Sequence, residues 1–585
     1  MKKLILIILT LCSAQAWGAA YTSCGSGNWS APATWNDGVL GCGLTITVPG
    51  VGDTATILAT HTVTVDDTRT IPSTTAEGTL VQGTGVVTTL GGILTVGNGS
   101  TEDGHFTFGG GSTLAMGANN LVLNNCFLRS NATSGNWTII TGTGAITMGA
   151  VYSAPKQDII LSYVSHQNTG NITYAAGGTS GTGETNQINI QHCVFSGTGI
   201  VTIGQAGWTP ASTVITVNNN DFINLTGNIK LTGATGTVTN ATFNYNTVNL
   251  STSHELVLNN ATGYQIKGNT LVNVTSGVVA SNTAPAITYD SNFWSLASSA
   301  ASGTNTLILN NAYAAPTFTN NYVYSTYANP HSVGETGTGG SGTVSVGHNI
   351  FETVYSTDPG NYVMVGKLPI NINNNIMINS GAICNNVGAQ TGTTVNCYNN
   401  TAWITRDNAG SGGSIWLTET GLFTGTVNVY NNLVSGAVTG TYGVASISGT
   451  QALATVGYNS FYATTTPYSS VTVVTDNRAN DLAVNPSFSD TSRSLATWNH
   501  VRGSGTTSAA DAVTYLLGTN GYNGNTFTQS ATPSANSVTD LMLWTTAGFA
   551  PTNMALATAG YGGTYIGAVM PQASLSPIWG IQFGL

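Results

Sequence analysis

The segments VNCYNNTAW (Val395–Trp403) and VNVYNNLVS (Val427–Ser435) decide how this chain folds. In each, two apolar residues stand five and three places before an Asn: Val395 and Cys397 before Asn400, Val427 and Val429 before Asn432. In the second segment Val434 follows two places after it. Apolar residues at a spacing of two are the mark of a strand with one buried face. The Asn then marks a bend between two short strands. Its amide can bond nearby backbone, and it tolerates left-handed backbone angles.

The arrangement recurs at Asn125, Asn220, Asn246, Asn269, Asn292, Asn321, Asn349, Asn375 and Asn459. From Asn220 onward the spacings are 26, 23, 23, 29, 28, 26, 25, 32 and 27 residues. Between Asn125 and Asn220, QHCV with His192 in the Asn place and LSYV around Ser162 restore the period. A repeat of this length is that of a solenoid, here of about thirteen turns. Ile215 and Val217, Ile287 and Tyr289, Val344 and Val346, and Ile370 and Ile372 are expected to point inward before the bends. Phe222, Val248, Leu271, Trp294, Val323, Phe351, Met377 and Phe461 are expected to do so after them. A propeller blade would need a period of about 40 residues, and a sandwich would not hold one Asn signature over a dozen copies. Stacked amides can bond one another from turn to turn. Leu123 to Phe127 and Ile190 to Val194 are one residue shorter than Val217 to Phe222, so the early turns are expected to differ in shape.

Composition agrees with an all-β chain. Of 585 residues, 41% are hydrophobic and only 6% charged, with 73 Gly. Disorder, a coiled coil and collagen are excluded by hydrophobicity, charge pattern and the lack of strict Gly periodicity. Lys2 and Lys3, the apolar run Leu4 to Leu11 and Ala14-Gln15-Ala16 read as a signal peptide over residues 1–19, which places the protein outside the cell or at its surface. A run of eight residues is too short to cross a bilayer, which takes about 20. Without Lys2 and Lys3 the balance is 12 − 2 = 10 basic against 22 acidic residues, a net −12 that opposes binding to nucleic acid or anionic membrane. Six Cys remain. Cys24 with Cys42 and Cys384 with Cys397 are plausible disulfide pairs, whereas Cys126 and Cys193 could be paired or be buried thiols.

The spacing, the three short strands per turn and the Asn ladder resemble the right-handed parallel β-helix family typified by pectate lyases, over residues 100–475. The resemblance implies an all-β solenoid closed at both ends. Residues 20–99, with NWSAPATW (Asn28–Trp35) and HTVTVDD (His61–Asp67), form the N-terminal β-rich cap; they resemble the Trp-rich start of bacterial surface β-helix proteins and the G8-type extracellular domain. Residues 476–585 form a small mixed C-terminal cap, with NPSFSDTSRSLATW (Asn485–Trp498) and a helix near Ala509 to Leu517, covering the last apolar rung.

Enzymes of that family use the outward face of the strand before the bend as a groove for an extended sugar chain. With Ile229, Leu231, Leu256 and Leu258 inward, Lys230 on one turn meets Glu255 and His254 on the next. Lys230 or His254 could act as a base that Glu255 orients; the same residues could equally form an exposed salt bridge of little consequence. Beyond this the resemblance stops. The calcium-binding carboxylates followed by an arginine, and the paired Asp with Gly-His-Gly of polygalacturonase-like hydrolases, are missing. Gly347-His348 lacks the second Gly, so His348 reads as a bend residue. Asp66, Asp67, Asp221, Asp290, Glu352, Asp358 and Asp407 are too scattered in repeat position to build a Ca²⁺ site, so no cofactor is evident. Tyr324, Trp403 and Tyr462, each three places after its ladder Asn, and Trp416 on a separate strand are expected to be exposed aromatic faces for sugar rings. The expected function is therefore a secreted or surface protein that binds extracellular glycan or a partner along its side. A polysaccharide lyase or glycoside hydrolase is the alternative.

Overall fold

A computed structural model describes residues 18–42, 44, 47–97, 104–124, 126–148, 158–176, 186–205, 213–232, 238–259, 264–280, 287–296, 308–309, 316–325, 331–335, 342–354, 362–363, 369–379, 382–383, 394–405, 413–417, 426–436, 442–446, 452–453, 455–469, 472–473, 475–498, 508–518, 522–523, 526–527 and 534–571. The signal-peptide stretch 1–17, Asn125, Cys384, Asp358 and Asp407 lie outside the described residues. The fold is an all-β parallel solenoid with few helices, and it divides into two compact units at Val214/Ile215.

In the first unit three columns of short strands stack in parallel. Thr62–Val65 pairs with Thr79–Gln82, which pairs with Gly104–Phe108, then Cys126–Ser130, Asp158–Ser162 and Asn186–Gln191. A second column runs Arg69–Ile71, Val87–Leu90, Thr113–Ala115, Thr138–Gly142, Val164–Asn168 and Val194–Ser196. A third starts with Ala20–Ser23 on Thr54–Ile57 and continues through Ser73–Ala76 and Leu94–Val96. The coil is therefore under way well before residue 100: residues 54–96, expected as a separate cap, are ordinary solenoid rungs. Their Thr-x-Thr pattern conceals this, because Thr62 and Thr64 point outward while Val63 and Val65 fill the interior. Ahead of them, Trp29 and Trp35 are fully buried with rings 4.6 Å apart. The expected disulfide joins Cys24 to Cys42.

The second unit carries the Asn signature. Every inward residue expected before or after its bends, from Ile215 to Phe461, is buried. Parallel register puts Phe222 on Val248, then Leu271, Trp294, Val323, Phe351 and Met377, so like residues stack on like. A body of thirteen uniform turns is not what forms. About eight turns of this unit have three separate strands, with bends at Asn220, Asn292, Asn321, Asn349, Asn375, Asn400, Asn432 and Asn459. At Asn246 and Asn269 the second and third sides merge into the long strands Thr247–Asn259 and Thr270–Ala280. Neither run is regular: Thr270–Ala280 contains the left-handed Asn273 (φ 61°) and Gly277, and the register shifts between Val272 and Val274 and between Asn249 and Val257.

Among the described C-terminal residues, Asp476–Asn477 pairs with the last rung at Val456 and Gly457, and the segment from Leu495 to Val569 lies along the side of the second unit. The helix foreseen near 509 is α1 (Ala509–Gly518), and a second, unforeseen, is α2 (Ser534–Gly548). Leu516, Leu541 and Phe549 pack with Leu495 and Trp498 on Val272, Phe293, Tyr322, Tyr324, Ile350, Ile376 and Ile378. Further along, Leu556 and Ile566 pack on Leu433, and Gly567 donates its N–H to Asn431 O at 2.8 Å. Each fully buried Leu or Phe contributes roughly 1.5–3 kcal/mol, ample reason for an apolar outward face to recruit this cover.

Candidate functional site

The bend geometry explains which Asn does what. The left-handed residue is not the ladder Asn but the one before it: φ is 56° at Asn219, 58° at Tyr245, 57° at Ser291, 56° at Asn320, 58° at His348 and 56° at Asn374. This turns the ladder Asn inward, where it is buried. Each amide then makes the same bonds. The Asn349 N–H and Nδ2 both donate to Asn375 Oδ1 at 3.0 Å, and Nδ2 also donates to Phe318 O at 2.9 Å. The pattern runs unbroken from Asn220 to Asn459. It ends on Asp481, whose carboxylate accepts the Asn459 N–H at 2.9 Å and the Tyr468 hydroxyl at 2.8 Å. Burial pushes that carboxyl up to about 6.

The same rule reassigns the early copies. His192, with φ 54°, holds the left-handed place, and buried Cys193 holds the ladder place. Phe195 rather than Val194 is then the equivalent of Phe222, stacked at 4.6 Å on His166, so this bend is not shortened. The NNCF copy falls between Leu121–Leu123 of the third column and Cys126–Ser130 of the first, the column that precedes the other bends, and so marks a different corner. Cys397 is buried in the core, 3.5 Å from Asn400 Nδ2, and its expected disulfide partner Cys384 lies outside the described residues.

Of the residues expected to carry chemistry, Ile229, Leu231, Leu256 and Leu258 do point inward. The register sets Lys230 beside Val257, not Glu255. On the following turn His254 lies opposite Val274 and Glu255 opposite Ser276, across shifts in register. The structure therefore offers no backbone pairing of the base with its acid. Tyr324, Trp403 and Tyr462 do share one column, running Ser295, Tyr324, Glu352, Ile378, Trp403, Ser435, Tyr462. Much of that column is covered instead of exposed: Tyr324 is 6% accessible, and Trp403 packs edge-on against Phe488 at 5.7 Å. Trp416 sits on another sheet, opposite Ile383 and Ala445. Within the covered column Glu352 is buried. It accepts the Tyr322 hydroxyl and, at 2.9 Å, the Leu495 N–H. Burial raises its carboxyl above the ordinary range, and these two donors only partly offset the effect.

The aromatic face that remains accessible is one strand back. On Thr394–Tyr398 and Thr426–Tyr430 the outward residues are Asn396 with Tyr398 and Asn428 with Tyr430. Asn396 Nδ2 donates to Asn371 Oδ1, and Asn428 Nδ2 to Asn396 Oδ1, each at 2.8 Å. Beside this external amide row the Tyr398 and Tyr430 rings stack 5.3 Å apart and within 5° of parallel. Tyr561, half exposed, leans on Tyr430 at 5.5 Å and on Tyr458 at 5.4 Å. Burial pushes the Tyr430 hydroxyl upward, so it stays protonated and able to donate. The sequence signal for this face is the paired Asn-x-Tyr of Asn396 with Tyr398 and Asn428 with Tyr430, which stands before the bend and not after it. Among the described residues no group of three or more His, Cys, Asp or Glu could hold a metal ion. Comparison with protein-family models, with curated proteins and with solved structures finds no match.

Proposed function

We propose that this protein is a secreted or surface-held solenoid, of the right-handed pectate lyase-like kind, that binds an extracellular glycan along its side without cleaving it. One observation carries the reading: parallel Tyr398 and Tyr430 flanked by the amide row Asn371, Asn396, Asn428. Aromatic faces take the C–H face of a sugar ring. A side-chain amide offers two N–H donors and two acceptor lone pairs, and the row uses only part of them internally, leaving the rest for hydroxyl groups. A ligand that repeats along its length fits a surface that repeats turn by turn.

The test is retention of the full chain on immobilised neutral and acidic polysaccharides, with new reducing ends and unsaturated products followed in parallel. Binding without cleavage, weakened about tenfold or more in Tyr398→Ala and Tyr430→Ala, is the expected result. Cleavage of any of the polymers, or retention unchanged in both variants, overturns the proposal.

A further inference from the structure

A cleft of about 360 Å³ lies in the second unit between the row of left-handed bend residues and α2. Its size is within the range of small-molecule sites, roughly 300–1,000 Å³. One wall is polar and built by the repeat: Ser291, Asn320, His348 and Asn374 come from four successive turns, each at the bend position just before its ladder Asn. The opposite wall is Met542 and Leu543 of α2 with Val569, and Thr539 and Thr546 add two hydroxyls. Leu543, at the mouth of the cleft, is 64% exposed.

The lining selects a ligand class. Among the described residues that line it there is no Asp, Glu, Lys or Arg, and His348 is the one titratable group, so no fixed charge there pairs with a phosphate, a carboxylate or an ammonium group. Among those described residues there is no Phe, Tyr or Trp either, so a flat aromatic ring or nucleobase finds no stacking partner in them. What remains is hydroxyls, amides and one imidazole facing aliphatic carbon, which matches a molecule with hydroxyl groups on one side and C–H groups on the other. The polar wall is also loosely self-bonded. Asn374 Nδ2 lies 3.4 Å from His348 Nε2, and Asn374 Oδ1 lies 3.4 Å from the Tyr565 hydroxyl. Contacts this long are weak and exchange readily for shorter ones to a ligand. Asn320 is better held, with Nδ2 donating to Asp290 Oδ1 at 2.8 Å, and Lys267 balances that carboxylate at 3.6 Å.

From this geometry we infer that the cleft is a second binding site, for an uncharged saccharide of one or two rings, separate from the tyrosine face. The inference does not depend on the tyrosine face binding anything. The repeat supplies hydrogen-bonding groups at intervals of one turn, and the helix, which the repeat cannot encode, supplies the apolar side.

The test is saturation-transfer NMR and titration of the full chain with cellobiose, N,N′-diacetylchitobiose and digalacturonate. At least one of the two neutral disaccharides binds, digalacturonate binds at least about tenfold more weakly, and Asn320→Ala and Leu543→Ser each weaken the neutral ligand about tenfold or more. Both positions are exposed, so these variants keep their fold, checked by far-UV circular dichroism. Tyr430→Ala leaves this binding unchanged, which separates the cleft from the tyrosine face. Absence of binding by both neutral disaccharides, preference for digalacturonate, or binding undiminished in Asn320→Ala and Leu543→Ser overturns the inference.

Discussion

Replacing Asn375 by Ala in the middle of the ladder should destabilise the second unit far more than removing an amide of similar chemistry from its surface. Asn375 Oδ1 accepts the Asn349 N–H and Nδ2 at 3.0 Å, and Asn375 Nδ2 donates to Val346 O at 2.9 Å and Asn400 Oδ1 at 3.0 Å. In Asn375→Ala the Asn349 N–H loses its acceptor in a buried site, which costs about 1–3 kcal/mol. The Asn349 Nδ2 group keeps Phe318 O, and Asn400 Oδ1 keeps the residue 375 N–H, so those losses are about 0.5–1 kcal/mol each. With the bond to Val346 O, the total is about 3–5 kcal/mol. Asn428→Ala, on the external row, loses a single half-exposed bond to Asn396 and should cost about 0.5–1 kcal/mol. Hydrogen exchange read at the Asn349 amide is the direct assay, because a repeat array opens locally and a single global transition is not assured. Protection there should fall about a hundredfold or more in Asn375→Ala and stay within about fivefold of the parent in Asn428→Ala. Equal effects in the two variants, or a loss below about 1 kcal/mol in the first, would show that the ladder is a by-product of stacking and not a determinant of it.

Other expectations follow from buried acids. Burial raises Asp221 to about 8 and Asp481 to about 6, and raises Glu352 as well, so the folded chain holds protons that the unfolded chain releases. Their stabilisation is complete below about pH 4 and is lost as pH rises through about 6 and then about 8; thermal melts across this range should show Tm falling, less steeply in Asp221→Asn. Glu352→Gln should flatten the same profile while preserving the cover of the outward column, whereas Glu352→Ala should leave the buried Leu495 N–H without its acceptor and raise proteolytic cleavage near Leu495. Asp481→Ala removes the ladder's terminal acceptor and should raise exchange at the Asn459 amide about tenfold or more, with little effect at Asn349.

The repeat was legible because a bend of this kind leaves a local trace. An inward pair at −5 and −3, an amide, and an inward apolar residue at +2 are all set within eight residues, and register then follows from the need to bury one face. The left-handed place was less legible, because Asn often occupies both adjacent positions, as at Asn399-Asn400 and Asn431-Asn432. His192, His348 and Tyr245, left-handed without being Asn or Gly, reveal which of the two it is. The early rungs read as strands of a β-rich cap and not as coil because their outward Thr and inward Val or Leu lack the Asn signature, although they pair in the same parallel manner. For the candidate acid and base, inward pairing of Ile229 with Leu256 sets Val257 directly beside Lys230, with Glu255 two residues before it on the same strand.

By itself the sequence determined that the chain coils, where the second unit bends and which residues fill its interior. All of these are local, or follow from stacking one local pattern upon itself. Only the tertiary structure decided which outward residues meet water. Tyr324 and Tyr398 look alike in the sequence, each outward on its strand, yet one is buried under the C-terminal segment and the other is accessible. The difference is made by α1, α2 and residues 482–498, which return to the coil from more than a hundred positions away, as Leu495 does to Glu352. No periodicity records that return, because it depends on an apolar outward face finding a cover and not on any repeat within either partner.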